Sequence, residues 1–395
     1  MIKCKMCNFD GNPDDAKECE KCGADLVKLC SCGYELKPHW VKCPKCKKPV
    51  TEDGAKEPRK CSCSEPLEDW MDECPACGKA VGKGAAANAD PMAEAMDDIE
   101  QKYSAEAVAC FKRGLELYKN KDYDGAIGEC SKAIKLEPDY AQAYFWRSSS
   151  YYQQDDFDSA IKDCTKAIEL DPDAAKFYSG RAICYRRKEN YAAAIKDFSK
   201  AIKIDGNNSG YYYSRGIAYR FQEEYDLSTS DFTEAVRLSP DSANAYVARG
   251  FNYYMQDDFG SAIKDLTKAI GLNPDNDFSY YWRGMCYLDK ANYTAAIKDF
   301  SQAIKINGNI YRYYKERANA YHEDENYDAA VSDFTQAIEM SEEDDNVSEE
   351  ELAELFYYRG AAYLFLDDEE MSRADFEQAV ALDPNNSEYR EALED

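Results

Sequence analysis

Residues 243–276 read ANAYVARGFNYYMQDDFGSAIKDLTKAIGLNPDN. Tyr246, Gly250 and Tyr253 recur at i, i+4 and i+7, the spacing of one face of an amphipathic helix. Asp257-Asp258-Phe259-Gly260 interrupts that pattern as a turn. A second helix lines up Ala262, Leu266 and Ala269 and stops before Asn273-Pro274, since proline lacks the amide donor and clashes with the preceding turn. Small side chains at three of these places let the two helices approach closely.

The same pattern returns along the chain. Pro138, Pro172, Gly206, Pro240, Pro274 and Gly308 lie 34 residues apart, as do Ala126, Ala160, Ala194, Ser228, Ala262, Ala296 and Ala330. A third column holds Ala133, Ala167, Ala201, Ala235, Ala269, Ala303 and Ala337. A unit of this length cannot bury its apolar face alone, so the repeat predicts a stacked solenoid in which each unit covers its neighbour.

These columns resemble the tetratricopeptide repeat, with eight copies at 107–140, 141–174, 175–208, 209–242, 243–276, 277–310, 311–344 and 353–386. Gly114, Gly216, Gly250, Gly284 and Gly360 hold the small eighth place, and Ser148, Ala182 and Ala318 are the variants. Residues 345–352 form an acidic insertion, Glu369 replaces the usual aromatic and predicts an atypical last turn, and residues 387–395 remain to cover the exposed end. The resemblance implies a mostly α fold, a solenoid over 104–395 whose concave wall comes from the first helix of each pair. It also implies that this wall binds extended peptides or partner helices. Carrying its groove positions over gives Phe145, Trp146, Tyr213, Phe251, Tyr254, Tyr281 and Trp282, with Phe111, Tyr152, Phe221, Phe278, Tyr357 and Phe365 beside them. About half of such rings are expected to pack as core. Lys176, Arg186, Arg187 and Arg220 form a positive island suited to a carboxylate or phosphorylated segment. The two-carboxylate clamp of chaperone-binding relatives is not expected, because its places hold Phe111, Leu115, Trp146, Lys176 and Gly180, of which only Lys176 matches.

Two further columns are structural in expectation. The seventh place of every copy is arginine (Arg113, Arg147, Arg181, Arg215, Arg249, Arg283, Arg317, Arg359), and 16 residues on stands an acid (Glu129, Asp163, Asp197, Asp231, Asp265, Asp299, Asp333, Asp375). Each arginine is expected to reach its own acid or that of an adjacent pair. Cys110, Cys130, Cys164, Cys184 and Cys286 fall at apolar places, where a free thiol acts as a small hydrophobe.

The first eighty residues are a different material, holding twelve of the 17 cysteines. Cys4-Lys-Met-Cys7 and Cys19-Glu-Lys-Cys22, eleven residues apart, present four thiolates for one tetrahedral Zn²⁺. This set, over residues 1–26, resembles a zinc ribbon. Cys30, Cys32, Cys43 and Cys46, then Cys61, Cys63, Cys74 and Cys77, repeat the scheme with a one-residue-shorter first knuckle, so residues 27–80 resemble a double zinc ribbon. The resemblance implies small β-rich modules and up to three structural zinc ions. Four sulfurs leave no open position for catalysis, and metal binding supplies folding energy that so short a segment lacks. Residues 81–103 read as a Gly/Ala-rich linker and a short helix.

Composition narrows the function. Seventy-six acidic against 49 basic residues give −27 at neutral pH, which opposes binding of a nucleic acid along the solenoid. No run approaches the eighteen apolar residues of a membrane span, and Met-Ile-Lys-Cys-Lys-Met-Cys lacks the apolar core of a secretory signal. Unpaired thiols beside thiolate metal sites suit a reducing cytoplasm. With two histidines, no phosphate-cradling loop and no open metal site, an enzyme is not expected. The expected function is a non-enzymatic protein-interaction scaffold, with the zinc head as a second contact. The alternative is a nucleic-acid-associated factor acting through the zinc ribbons.

Overall fold

The computed structural model describes residues 101–342 and 347–394. The twelve head cysteines, the zinc-ribbon modules and most of the linker lie outside the described residues.

Every regular element among the described residues is a helix, seventeen in all. The first pairs are α1 (Ala105–Lys119) with α2 (Tyr123–Leu136), α3 (Ala141–Gln153) with α4 (Phe157–Leu170), and α5 (Ala175–Arg187) with α6 (Tyr191–Ile204). Then follow α7 (Ser209–Arg220) with α8 (Tyr225–Leu238), α9 (Ala243–Met255) with α10 (Phe259–Leu272), and α11 (Asp277–Asp289) with α12 (Tyr293–Ile306). The series ends with α13 (Tyr311–Glu323) and α14 (Tyr327–Glu342), α15 (Glu349–Phe365) and α16 (Glu369–Leu382), and the single α17 (Ser387–Glu394).

One turn is used eight times. Lys121, Asp155, Glu189, Glu223, Asp257, Ala291, Glu325 and Asp367 all take positive φ, reversing the chain after each first helix. The next residue starts the second helix, and Asp156, Asn190, Asp258 and Asn292 cap it by accepting the amide three residues on, which satisfies a donor the helix leaves open. The last turn is not atypical. Asp367 has φ 58° and Asp368 caps Met371 as elsewhere, so the geometry rests on the left-handed residue and the cap, not on the aromatic that Glu369 replaces. Part of the acidic insertion is also helical: Ser348 and Glu351 form a reciprocal capping box that starts α15 one turn early.

No other turn places a nonpolar Cβ in the left-handed region as Ala291 does (φ 54°), exposed and with only a methyl group to lose. Ala291→Gly is expected to stabilise the fold by about 1 kcal/mol, because the left-handed penalty exceeds the extra chain entropy of glycine. Thermal denaturation of the two proteins checks this.

The core is a column of small residues facing large ones. Ala160, Ala194, Ala262, Ala296 and Ala330 have no exposed surface, and neither do Phe198, Phe232, Leu266, Phe300 and Phe334. The eighth-place residue gives each ring its room: a Cβ built on Gly284 would stand 2.7 Å from Phe300. Consecutive first helices touch one another along the whole series, whereas consecutive second helices do not to a comparable extent. The stack therefore curves with the first helices on the inside. At its C-terminal end Tyr389 of α17 is buried and packs 5.0 Å from Tyr357, covering the last pair.

The seventh-place arginines all bind the acid of their own pair. Seven do so with two bonds, as in Arg181 Nε to Asp197 Oδ2 at 2.7 Å and Nη2 to Oδ1 at 2.9 Å. The third corner of the guanidinium reaches back to a hydroxyl of the preceding repeat: Arg147 to Ser131, Arg181 to Thr165, Arg215 to Ser199, Arg249 to Thr233, Arg283 to Thr267, Arg317 to Ser301 and Arg359 to Thr335, at 2.9–3.2 Å. In the Arg215–Asp231 rung the bond to the carboxylate pushes the guanidinium pKa up, while burial pushes the carboxyl up. Two close bonds hold both groups charged. The ends differ as the geometry requires. Arg113 has no preceding repeat and meets the longer Glu129 half in solvent. The last repeat has no successor to bind, and Glu377 replaces the hydroxyl, turned to Arg373 on its own helix.

Candidate functional site

The inner face of the first helices is where side chains escape the demands of the core. The twelfth places run Tyr118, Tyr152, Arg186, Arg220, Tyr254, Leu288, His322 and Leu364, one per repeat. Two arginines therefore stand side by side between tyrosines. Arg186 is half-buried, its Nε is enclosed without a hydrogen-bond partner, and the groups acting on it most strongly are Tyr152, Tyr213, Arg187 and Tyr191. Arg220 lies over the Phe251 ring at 5.1 Å, with Tyr213, Tyr225 and Arg186 around it. Burial lowers the pKa of both guanidiniums, reinforced by the charge of Arg187 at Arg186 and by that of Arg186 at Arg220.

An aromatic basin continues from there. Trp282 stands 4.6 Å from Phe251, 5.0 Å from Tyr254, 5.2 Å from Tyr281 and 5.7 Å from Phe278, and its indole N–H is enclosed without an acceptor. Phe278 is 46% exposed, an open apolar rim to this basin. Burial and the neighbouring Asp289 carboxylate push the pKa of the Tyr254 hydroxyl up.

The other residues singled out from sequence divide. Phe145 is interior, packed 5.2 Å from Phe177 and filling the space over Gly180. Phe111 is likewise interior, 1% exposed. Trp146 is half-buried against Tyr118, and Tyr213 against Phe232. Lys176 keeps an open surface, yet stands in enough protein for desolvation to lower its pKa. Arg187 is exposed, over the Phe157 ring at 5.6 Å and 3.5 Å from Asp155. Phe221 is 54% exposed and stacks on Tyr191.

A counterpart went unread in the sequence. In the seventh repeat Glu316 accepts from Asn319 at 3.0 Å, and burial raises its carboxyl pKa, with Lys315, Glu354 and Asp289 close by. Lys315 is held by Glu354 at 2.6 Å. The inner wall is thus cationic at the third and fourth repeats and acidic at the sixth to eighth. Reading the sixth and twelfth places down the chain as columns carries the signal.

Tetratricopeptide repeat models match residues 111–175, 149–209 and 213–277, and in a second form 279–310, 311–344 and 353–386. The chain belongs to the tetratricopeptide repeat family. Among solved structures this repeat protein is similar to the C-terminal part of a tetratricopeptide-repeat-containing protein of Cytophaga hutchinsonii: 22% identity, TM-score 0.53, covering 63% of this chain and 99% of that one. That likeness is one of fold. MamA is 27% identical over 44% of this chain and 94% of its own, with TM-score 0.41. YrrB, described as a TPR protein with an unusual peptide-binding site, is 24% identical over 45% of this chain and 92% of its own, also at 0.41. No curated protein matches this chain in sequence. Among the described residues no helix is long and apolar enough to cross a membrane.

Proposed function

We propose that this chain is a non-enzymatic, cytoplasmic interaction scaffold whose solenoid holds an extended peptide or partner helix on its inner wall. The observation that carries the reading is the aromatic basin around Trp282, where rings line the curved-in face and an indole N–H waits without an acceptor. Aromatic anchors of this kind dominate binding energy, since they bury area with few torsions to freeze. A random peptide library displayed against the full chain is expected to yield binders that compete with one another. Phe251→Ala combined with Trp282→Ala should weaken them by at least about 2 kcal/mol, some 30-fold. A library that yields no binder, or binders indifferent to both substitutions, overturns the reading.

The zinc ribbons belong to the same proposal as a second contact module, with the twelve cysteines Cys4 to Cys77 as structural ligands. Metal analysis of protein purified without chelator is expected to give up to three zinc ions per chain and one fewer after Cys4→Ser with Cys7→Ser. Protein free of zinc would remove the module from the proposal.

A further inference from the structure

The arginines of this chain are almost all spoken for. Of fifteen among the described residues, twelve hold a carboxylate, and Arg390 is exposed on the end helix. Arg186 and Arg220 are the other two. In a protein with 76 acids and a net charge of −27, carboxylates are the commonest neighbours to be had. A half-buried guanidinium without one costs stability. Two such groups, adjacent at the twelfth places of α5 and α7, repel each other across the inner wall and serve no rung of the ladder. Their planar forks fit a carboxylate through paired N–H donors.

Position adds to charge. Arg220 lies on Phe251, and Phe251 meets Trp282 edge-on, so the cationic site and the aromatic basin are one continuous surface. Beyond the basin Glu316 lies within reach of the charges of Asp289, Glu354 and Lys315, and Lys315 is already held by Glu354. An anionic ligand group is attracted at the third and fourth repeats and repelled at the sixth to eighth, which fixes the register of whatever binds.

We propose that the inner wall receives an extended acidic segment of another protein, its carboxylates on Arg186 and Arg220 and an adjoining aromatic or large aliphatic side chain in the basin around Trp282. This rests on the reading that the wall binds polypeptide, and goes further by naming the chemistry of the partner.

The test uses the full chain and fluorescence anisotropy with labelled synthetic peptides. One peptide carries Asp and Glu beside Trp and Leu; its isostere replaces every acid by Asn or Gln. The acidic peptide is expected to bind at least about tenfold more tightly at low salt, and Arg186→Gln with Arg220→Gln should erase that preference while leaving the isostere's affinity unchanged. The variant is expected to melt no lower than the parent, because no ion pair is lost. If it does melt lower, Arg220→Lys, which keeps charge but not the fork, must still lose most of the preference. A preference untouched by these substitutions, or none at all while both peptides bind through Trp282, sinks the acidic-segment proposal and leaves the scaffold reading standing. A single-stranded oligonucleotide that competes equally well also sinks it, in favour of a general polyanion site. If no peptide of either kind binds, the scaffold reading falls with it.

Discussion

Asp265→Ala is expected to lower the stability of the solenoid by roughly 3–5 kcal/mol, the cost of stranding a buried partner of an ion pair. Arg249 is bonded to that carboxylate at 2.6 and 3.0 Å, with side chains 15% and 7% exposed. It is flanked by the Tyr246 and Tyr253 rings, so without Asp265 it keeps only the Thr233 hydroxyl at 3.2 Å. The loss spreads, since the same guanidinium ties its own pair to the preceding repeat and a solenoid's stability is carried by such neighbour contacts. Glu129→Ala is the internal control. Arg113 is 55% exposed, and solvent screens its bond, so breaking it should cost far less than breaking the Arg249 rung. Urea denaturation of both variants, with Arg249→Met and Asp265→Leu singly and together, closes a double-mutant cycle. The double variant should recover most of the loss, because apolar groups need no partner there. Equal costs for Asp265→Ala and Glu129→Ala would reduce the ladder to surface decoration.

The ladder shows what a periodic sequence discloses and what it conceals. Arginine and acid 16 residues apart were legible as a pair because both columns are nearly invariant. The hydroxyl column, from Ser131 and Thr165 to Thr335, is as regular, yet its meaning depends on which repeat lies behind which. That is a fact of stacking, and only the Glu377 exception at the last repeat hints at it. The turns teach the reverse. The aromatic after each turn looked essential by recurrence, but Asp367 and Asp368 make the same turn before Glu369, because backbone conformation and capping set the geometry. Phe145 and Trp146 are neighbours in sequence with different fates, one under Gly180 and the other at the wall, since helical rotation separates them by about 100°. The unpaired state of Arg186 and Arg220 could not be read at all. In so acidic a chain, any arginine is presumed to have found a carboxylate until the surrounding side chains are in place.

Stability is expected to fall steeply once the pH rises above about 9, and buried thiols are the cause. Cys130, Cys164 and Cys286 are unpaired and buried, and desolvation pushes each from an ordinary 9.0 up to about 12. Cys184 moves in the same direction for the same reason. In the folded protein these thiols keep their protons through that interval, whereas in the unfolded chain they ionise near 9, so the unfolded state binds fewer protons. Unfolding free energy then decreases by about 1.4 kcal/mol per pH unit for each thiol. The contribution is fully present below pH 9.0 and lost progressively towards 12. Tyrosines such as the buried Tyr140 and the half-buried Tyr281 are raised by desolvation as well, but from 10.0, so they steepen the decline only later. Urea midpoints measured under reductant across this range should show the onset near 9. Cys164→Ala separates the thiol from everything else: whatever constant cost the smaller side chain imposes, it should flatten the pH slope by about 1.4 kcal/mol per unit. An unchanged slope in that variant would mean that Cys164 reaches water far more readily than its enclosure among Ser148, Phe145 and Gly180 allows.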